Sequence, residues 1–186
     1  MNNMNERTFS IKSFGVRIGT RMEGQAAQKK LLTSLQALPE PGRLIISLNG
    51  VEVLSGSFAD SAIAFPYSRL ITGEYGDRYM LLRSSSAEIT EDLSHKLERR
   101  GLAMLCLTGA DWRPLGLLPP AMKDTLALVI RYKETTAKKL ASELHIRHNA
   151  CLHRLARLTE LRLIRREQMG IAGPYPAYRF LSILPA

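Results

Sequence analysis

The chain is poor in the residues that staple, anchor or catalyse. Its two cysteines cannot build a disulfide framework, and both sit in apolar surroundings: Cys106 in LAMLCLTG, Cys151 in a helical pattern. They read as buried thiols in a reducing compartment. No apolar run is long enough to span a bilayer, and the opening MNNMNERTFSIK lacks the basic and apolar regions of a secretory signal. The expectation is a cytoplasmic protein with no membrane association. P-loop, G-x-G-x-x-G and G-x-S-x-G patterns are missing, LSGSF having the wrong order for the last. Glu52 and Asp60 flank a loop, but His95 is the one histidine before residue 119, so no base, nucleophile and orienter converge. The chain is therefore expected to be no enzyme and to take no cofactor.

What the chain has is positive charge, unevenly placed. Of its net +9, residues from Pro119 onward carry 12 Lys and Arg against 5 Asp and Glu; residues 1–118 carry 14 against 12. The field belongs to the C-terminal third, the footprint of a module that meets a polyanion, or else a solvated basic face.

Residues 8–118 alternate short β-type runs with amphipathic helical patterns, which predicts a mixed sheet with helices packed on it. TFSIK, LIISL, RYMLLR and LAMLCL read as strands. A first helix opens at Thr20-x-x-Glu23 and places Ala27, Leu31, Leu35 and Leu38 on one face. A second begins near Ser57, with Asp60 at capping-box spacing, and Pro66 should kink or end its first turns. A third starts at Ser85-x-x-Glu88 and stops at Gly101. TGADWRPLGLLPPAMKD then reads as a linker, dividing the chain into domains 1–113 and 114–186.

After the linker, residues 121–133 make a helix with Met122, Leu126, Val129 and Ile130 inward, and Thr136 to Leu144 a short one. A longer helix from about His148 to Leu161 buries Cys151, Leu155 and Leu158, and RLIRREQ and AYRFLSIL form two strands. LASELHIRHNACLHRLARLTELRLIRRE is similar, almost position by position, to the winged helix-turn-helix domains of bacterial regulators. That resemblance implies duplex DNA as partner, a recognition helix from His148, a wing near residues 165–177 and a homodimer. Asn149, His153, Arg154 and Arg157 project away from the core face or along its flanks. Arg147, His148, Lys138, Lys139, Arg165 and Arg166 complete the expected DNA-contacting set, phosphates meeting the lysines and the wing. The chain departs from the pattern where His145 and Arg162 replace glycines and Arg147 replaces a Ser/Thr helix cap. Leu152 is apolar on a face that should meet DNA.

HIRHNACLH, residues 145–153, packs three histidines and a cysteine together. On a helix His148 and His153 lie about 140° apart. Cys151 faces the core, and no metal site is expected.

In the first half, LIISLNGV, then Ser-x-Ser-Phe-Ala-Asp, after Gly15, Gly19 and Arg21, resembles the STAS-like domains of bacterial proteins. That resemblance implies an α/β domain serving partner interaction, sensing or dimerisation. In the anti-sigma-antagonist branch a serine at this helix start is phosphorylated, which marks Ser57, and after it Ser55, as regulatory candidates. The Asp-Ser-Ser-Gly pattern of that branch is replaced by Leu54, Ser55, Gly56, Ser57 and Phe58, and Ser57 also reads as a plain helix N-cap. Two functions stand open: a DNA-binding transcriptional regulator, and a partner-switching interaction protein without DNA binding.

Overall fold

The computed structural model describes residues 4–172 and 175–185. The chain forms two compact units, Asn3–Leu118 and Pro119–Ala186. The division falls at Leu118 and not at residue 113, because residues 111–116 of the stretch read as linker form a strand.

The N-terminal unit is an α/β fold built on a five-stranded mixed sheet of order β1-β3-β5-β6-β7. β1 (Asn5–Ser10), β3 (Gly42–Ser47), β5 (Arg78–Arg83) and β6 (Ala103–Thr108) run parallel. β7 (Asp111–Gly116) returns antiparallel to β6 with Leu105 opposite Pro114. Pro114 and Gly116 signal a loop in isolation, but β7 is an edge, where a residue without an N–H is tolerated. Two short strands, β2 (Arg17–Ile18) and β4 (Val53–Leu54), pair parallel apart from the main sheet.

Helix α1 (Arg21–Gln36) starts on the expected box: the Glu23 N–H donates to Thr20 Oγ1, and the Thr20 N–H donates to the Glu23 carboxylate at 2.9 Å. Its Ala27, Leu31 and Leu35 are fully buried. They pack with Leu44 and Ile46 of β3 and with Phe58 in one core. Gly24 lets α1 approach the next helical segment; a Cβ there would lie 2.9 Å from Ser61 Cβ and 3.2 Å from the Phe58 backbone.

That segment holds α2 (Gly56–Ala59), a π turn (Asp60–Ala64) and α3 (Phe65–Ile71). Pro66 does not end it. The wider turn just ahead accommodates a ring that would meet the carbonyl four residues back in a regular α-helix. α2 begins one residue early, at Gly56, capped by Ser55. Helix α4 (Ala87–Arg99) likewise takes its cap from Ser86, whose Oγ accepts the Ile89 N–H at 3.3 Å, and not from Ser85. Gly101, at φ 64°, closes α4, with the Leu102 N–H donating to Leu97 O and that of Gly101 to Glu98 O.

The C-terminal unit contains α5 (Pro120–Tyr132), α6 (Ala137–Glu143) and α7 (His148–Glu160). Beside them lies an antiparallel sheet of order β8-β10-β9, formed by β8 (Glu134–Thr135), β9 (Ile164–Ala172) and β10 (Tyr175–Ser182). Leu126 and Val129 of α5 are fully buried, whereas Met122 and Ile130 are half-buried. Among the described residues, no helix is long and apolar enough to cross a membrane.

Candidate functional site

The basic C-terminal unit is organised around the α6–α7 turn. Thr136 caps α6, its Oγ1 accepting the Lys139 N–H, and Leu140 and Ala141 bury one face. At the other end His145 sits at φ 52°; its N–H donates to Ser142 O at 3.2 Å and that of Ile146 to Ala141 O at 3.0 Å. This is the six-residue closure that usually carries glycine at the left-handed position. α7 ends identically, with Arg162 at φ 57°, its N–H on Thr159 O and that of Leu163 on Leu158 O, both at 3.0 Å. The two places where the sequence lacks expected glycines are thus helix ends at positive φ, as is Lys133 at the end of α5, at φ 61°.

Cys151, Leu155 and Leu158 are fully buried and fix how α7 faces its unit. Asn149, His153 and Arg157, four residues apart, form an exposed row on the opposite side, with Leu152 beside them at 39 % exposure. Arg157 reaches Glu160 at 3.2 Å, an exposed pair that leaves the guanidinium in solvent. Arg147 and His148 are exposed at the start of α7; Arg147 occupies the cap position with no side-chain cap bond. Lys138 and Lys139 are exposed on α6, with Lys139 Nζ 3.6 Å from the Tyr132 ring centroid. Lys138 and His148 line one shallow hollow between α6 and α7, floored by Ala141 and Ile146.

Two expected contacts are placed differently. Arg154 turns into the unit, its guanidinium donating to Ala121 O at 3.2 Å and reaching Thr125 Oγ1 at 3.5 Å, both on α5. The side chain lies about 60° from Cys151 around the helix, close enough to the core face to fold inward. Arg165 pairs with Glu167 and is mostly buried. Glu167 also binds Arg179, which holds Glu134 at 2.9 Å, so these charges tie β9, β10 and β8 together. Arg166 is exposed, its guanidinium 4.7 Å from the Tyr178 ring centroid. Of the wing expected over 165–177, residues 173 and 174 lie outside the described residues.

In the N-terminal unit the two serines exchange the roles expected of them. Ser55 is the cap: its Oγ accepts the Phe58 N–H at 3.2 Å and donates to Gly19 O at 2.6 Å. Ser57 lies in the first turn, exposed, 3.2 Å from Ser55 Oγ and 3.3 Å from Gly19 O. Asp60, read as part of a capping box, binds Arg100 through two hydrogen bonds of 2.8 and 2.9 Å.

Burial pushes both thiols, Cys106 and Cys151, above the ordinary cysteine range and holds them protonated. Among the described residues no group of three or more His, Cys, Asp or Glu is placed to hold a metal ion. Chemically, the exposed row and its flanking residues present an amide, imidazoles, ammonium and guanidinium groups to solvent. Comparison with protein-family models, curated proteins and solved structures finds no match for this chain.

Proposed function

We propose that the chain is a DNA-binding transcriptional regulator. In this reading the C-terminal unit acts as a winged helix, α7 entering the major groove and the β9–β10 hairpin lying along the backbone. The exposed row Asn149, His153 and Arg157, opposite the buried Cys151, Leu155 and Leu158, carries the reading. Asn pairs bidentately with adenine and Arg with guanine, so such a row can read base edges. Lys138, Lys139, Arg147 and Arg166 surround it with charge for phosphates, and His148 adds a ring hydrogen-bonding group. Arg154 and Arg165 belong to the scaffold that orients these groups. The N-terminal unit serves as a STAS-like partner, sensor or dimerisation module, and the regulator works as a homodimer on a two-fold site.

The test is a gel shift of the full chain on duplex fragments at several salt concentrations. Affinity should fall steeply with salt as phosphate counterions are released, and Arg157→Ala should weaken the complex. Binding indifferent to salt, or no binding on any fragment, overturns the reading.

The exposure of Ser57 favours a second reading, a partner switch. There Ser57→Asp abolishes capture of a protein partner that Ser57→Ala retains, with no shift on DNA; equal capture by both variants removes it.

A further inference from the structure

We propose that the N-terminal unit carries a binding site for a small monocarboxylate at the carboxyl ends of β5 and β6. A cavity of about 260 Å³ opens there, between the Ser84–Ser86 turn that follows β5 and the start of β7. Open sheets of parallel strands present ligand sites at this end. The volume lies below the roughly 300–1,000 Å³ of pockets for drug-sized ligands, so the occupant is small.

The chemistry of the wall selects the ligand. Arg113 lines the cavity, and one of its terminal N–H groups donates to Thr90 Oγ1. Thr90 is 1 % exposed and its hydroxyl is itself anchored on Ser86 O and Ala87 O, both at 2.9 Å. A buried hydroxyl thus holds one edge of the exposed guanidinium at the cavity, and among the described residues its other four N–H donors have no protein partner. Among the described residues no carboxylate forms an ion pair with it. A held, planar fork suits a carboxylate bidentately, and holding it beforehand removes part of the ordering cost of binding. The Ser84 and Thr108 hydroxyls are occupied, donating to Ser86 O and Ser84 O, whereas the exposed Ser85 hydroxyl has no hydrogen-bond partner among the described residues.

Asp111 sits at the rim, two residues before Arg113 on the same strand. Its charge works against a dianion such as phosphate, which is why the inference names a singly charged carboxylate. A hydroxyl or ammonium on the ligand would find an acceptor there. The rest of the wall is largely apolar and suits a compact hydrocarbon body. The inference stands on the N-terminal unit alone and is independent of DNA binding.

Trp112, the one tryptophan of the chain, also lines the cavity and supplies the reporter. Tryptophan fluorescence of the full chain is titrated with benzoate, its neutral isostere benzamide, and inorganic phosphate. The expected result is a saturable change with benzoate, none with the other two, and an affinity at least tenfold weaker in Arg113→Gln. Arg113→Lys, which keeps the charge and loses the fork, should fall between, and thermal melts confirm that both variants are folded. No saturable response to benzoate, an equal response to benzamide, saturation by phosphate, or unchanged affinity in folded Arg113→Gln overturns the proposal.

Discussion

The Arg154 guanidinium on α7 donates to the main-chain carbonyl of Ala121 on α5, 3.2 Å away, and so clamps the helix that presents the outward row. A charged hydrogen bond of this kind contributes about 1.5–3 kcal/mol when its partner has no replacement. Arg154→Ala should lower unfolding free energy by about 1–2 kcal/mol. Arg157→Ala, which loses only an exposed pair with Glu160, should change it by less than about 1 kcal/mol. Denaturant melts of the two variants check the contrast, and a larger loss for Arg157 contradicts it.

His145 and Arg162 hold left-handed backbone at φ 52° and 57°. For a residue with a Cβ this conformation costs about 1–2 kcal/mol, and glycine removes the clash while adding freedom to the unfolded chain. His145→Gly and Arg162→Gly should each stabilise the protein by up to about 1 kcal/mol. Gly101, at φ 64° in the same closure of α4, is the internal control: Gly101→Ala should destabilise. Thermal or denaturant midpoints decide, and a lower midpoint for both glycine variants refutes the account.

Ser55 caps α2 and Ser57 does not. Ser55→Ala should cost about 1 kcal/mol, the usual value of a lost cap, while Ser57→Ala should stay within about 0.5 kcal/mol. Equal losses would place the cap elsewhere.

The hydrogen bonds from Arg100 hold the Asp60 carboxyl below its ordinary value of 3.8, against the opposing effect of partial burial. The native state therefore binds fewer protons than the unfolded chain on the acid side. The stabilisation is fully present above about pH 4 and is lost as pH falls through the lower native-state value. Asp60→Asn should be less stable at neutral pH and lose less stability on acidification. Unfolding measured from pH 6 to pH 2 should show a shallower acid limb in the variant, and superimposable slopes would remove Asp60 from the acid response.

If α6 and the hairpin meet phosphates, Lys138→Ala and Arg166→Ala should weaken DNA binding on every fragment alike and each reduce the salt slope by about one unit. Asn149→Ala should instead act on some fragments and spare others, by about 1–3 kcal/mol where it reads a base. Gel shifts at graded salt separate the two behaviours, and a fragment-independent effect of Asn149→Ala would place it on the backbone.

What the sequence determined by itself is whatever short spacing encodes. The Thr20 and Glu23 box spans four residues, the buried faces of α1 and α7 repeat every three or four, and the strands β3, β5 and β6 are built on short apolar runs. The exposed row of α7 follows by geometry from its core face, and the C-terminal charge is a matter of counting. Tertiary structure decided what depends on partners distant in the chain. β7 exists because β6 offers it a ladder, which outweighs the loop character of Pro114 and Gly116. Ser55, and not Ser57, caps α2 because the helix begins at Gly56: Ser55 keeps an extended backbone and accepts the Phe58 N–H, while Gly19 O, 36 residues earlier, holds its hydroxyl at 2.6 Å. Arg154 lies on a flank from which a long side chain reaches either solvent or scaffold; Ala121, 33 residues earlier, drew it inward, and spacing alone cannot distinguish those outcomes. The cavity beside Arg113 is likewise non-local, since it joins the end of β5, the start of α4 and a returning edge strand.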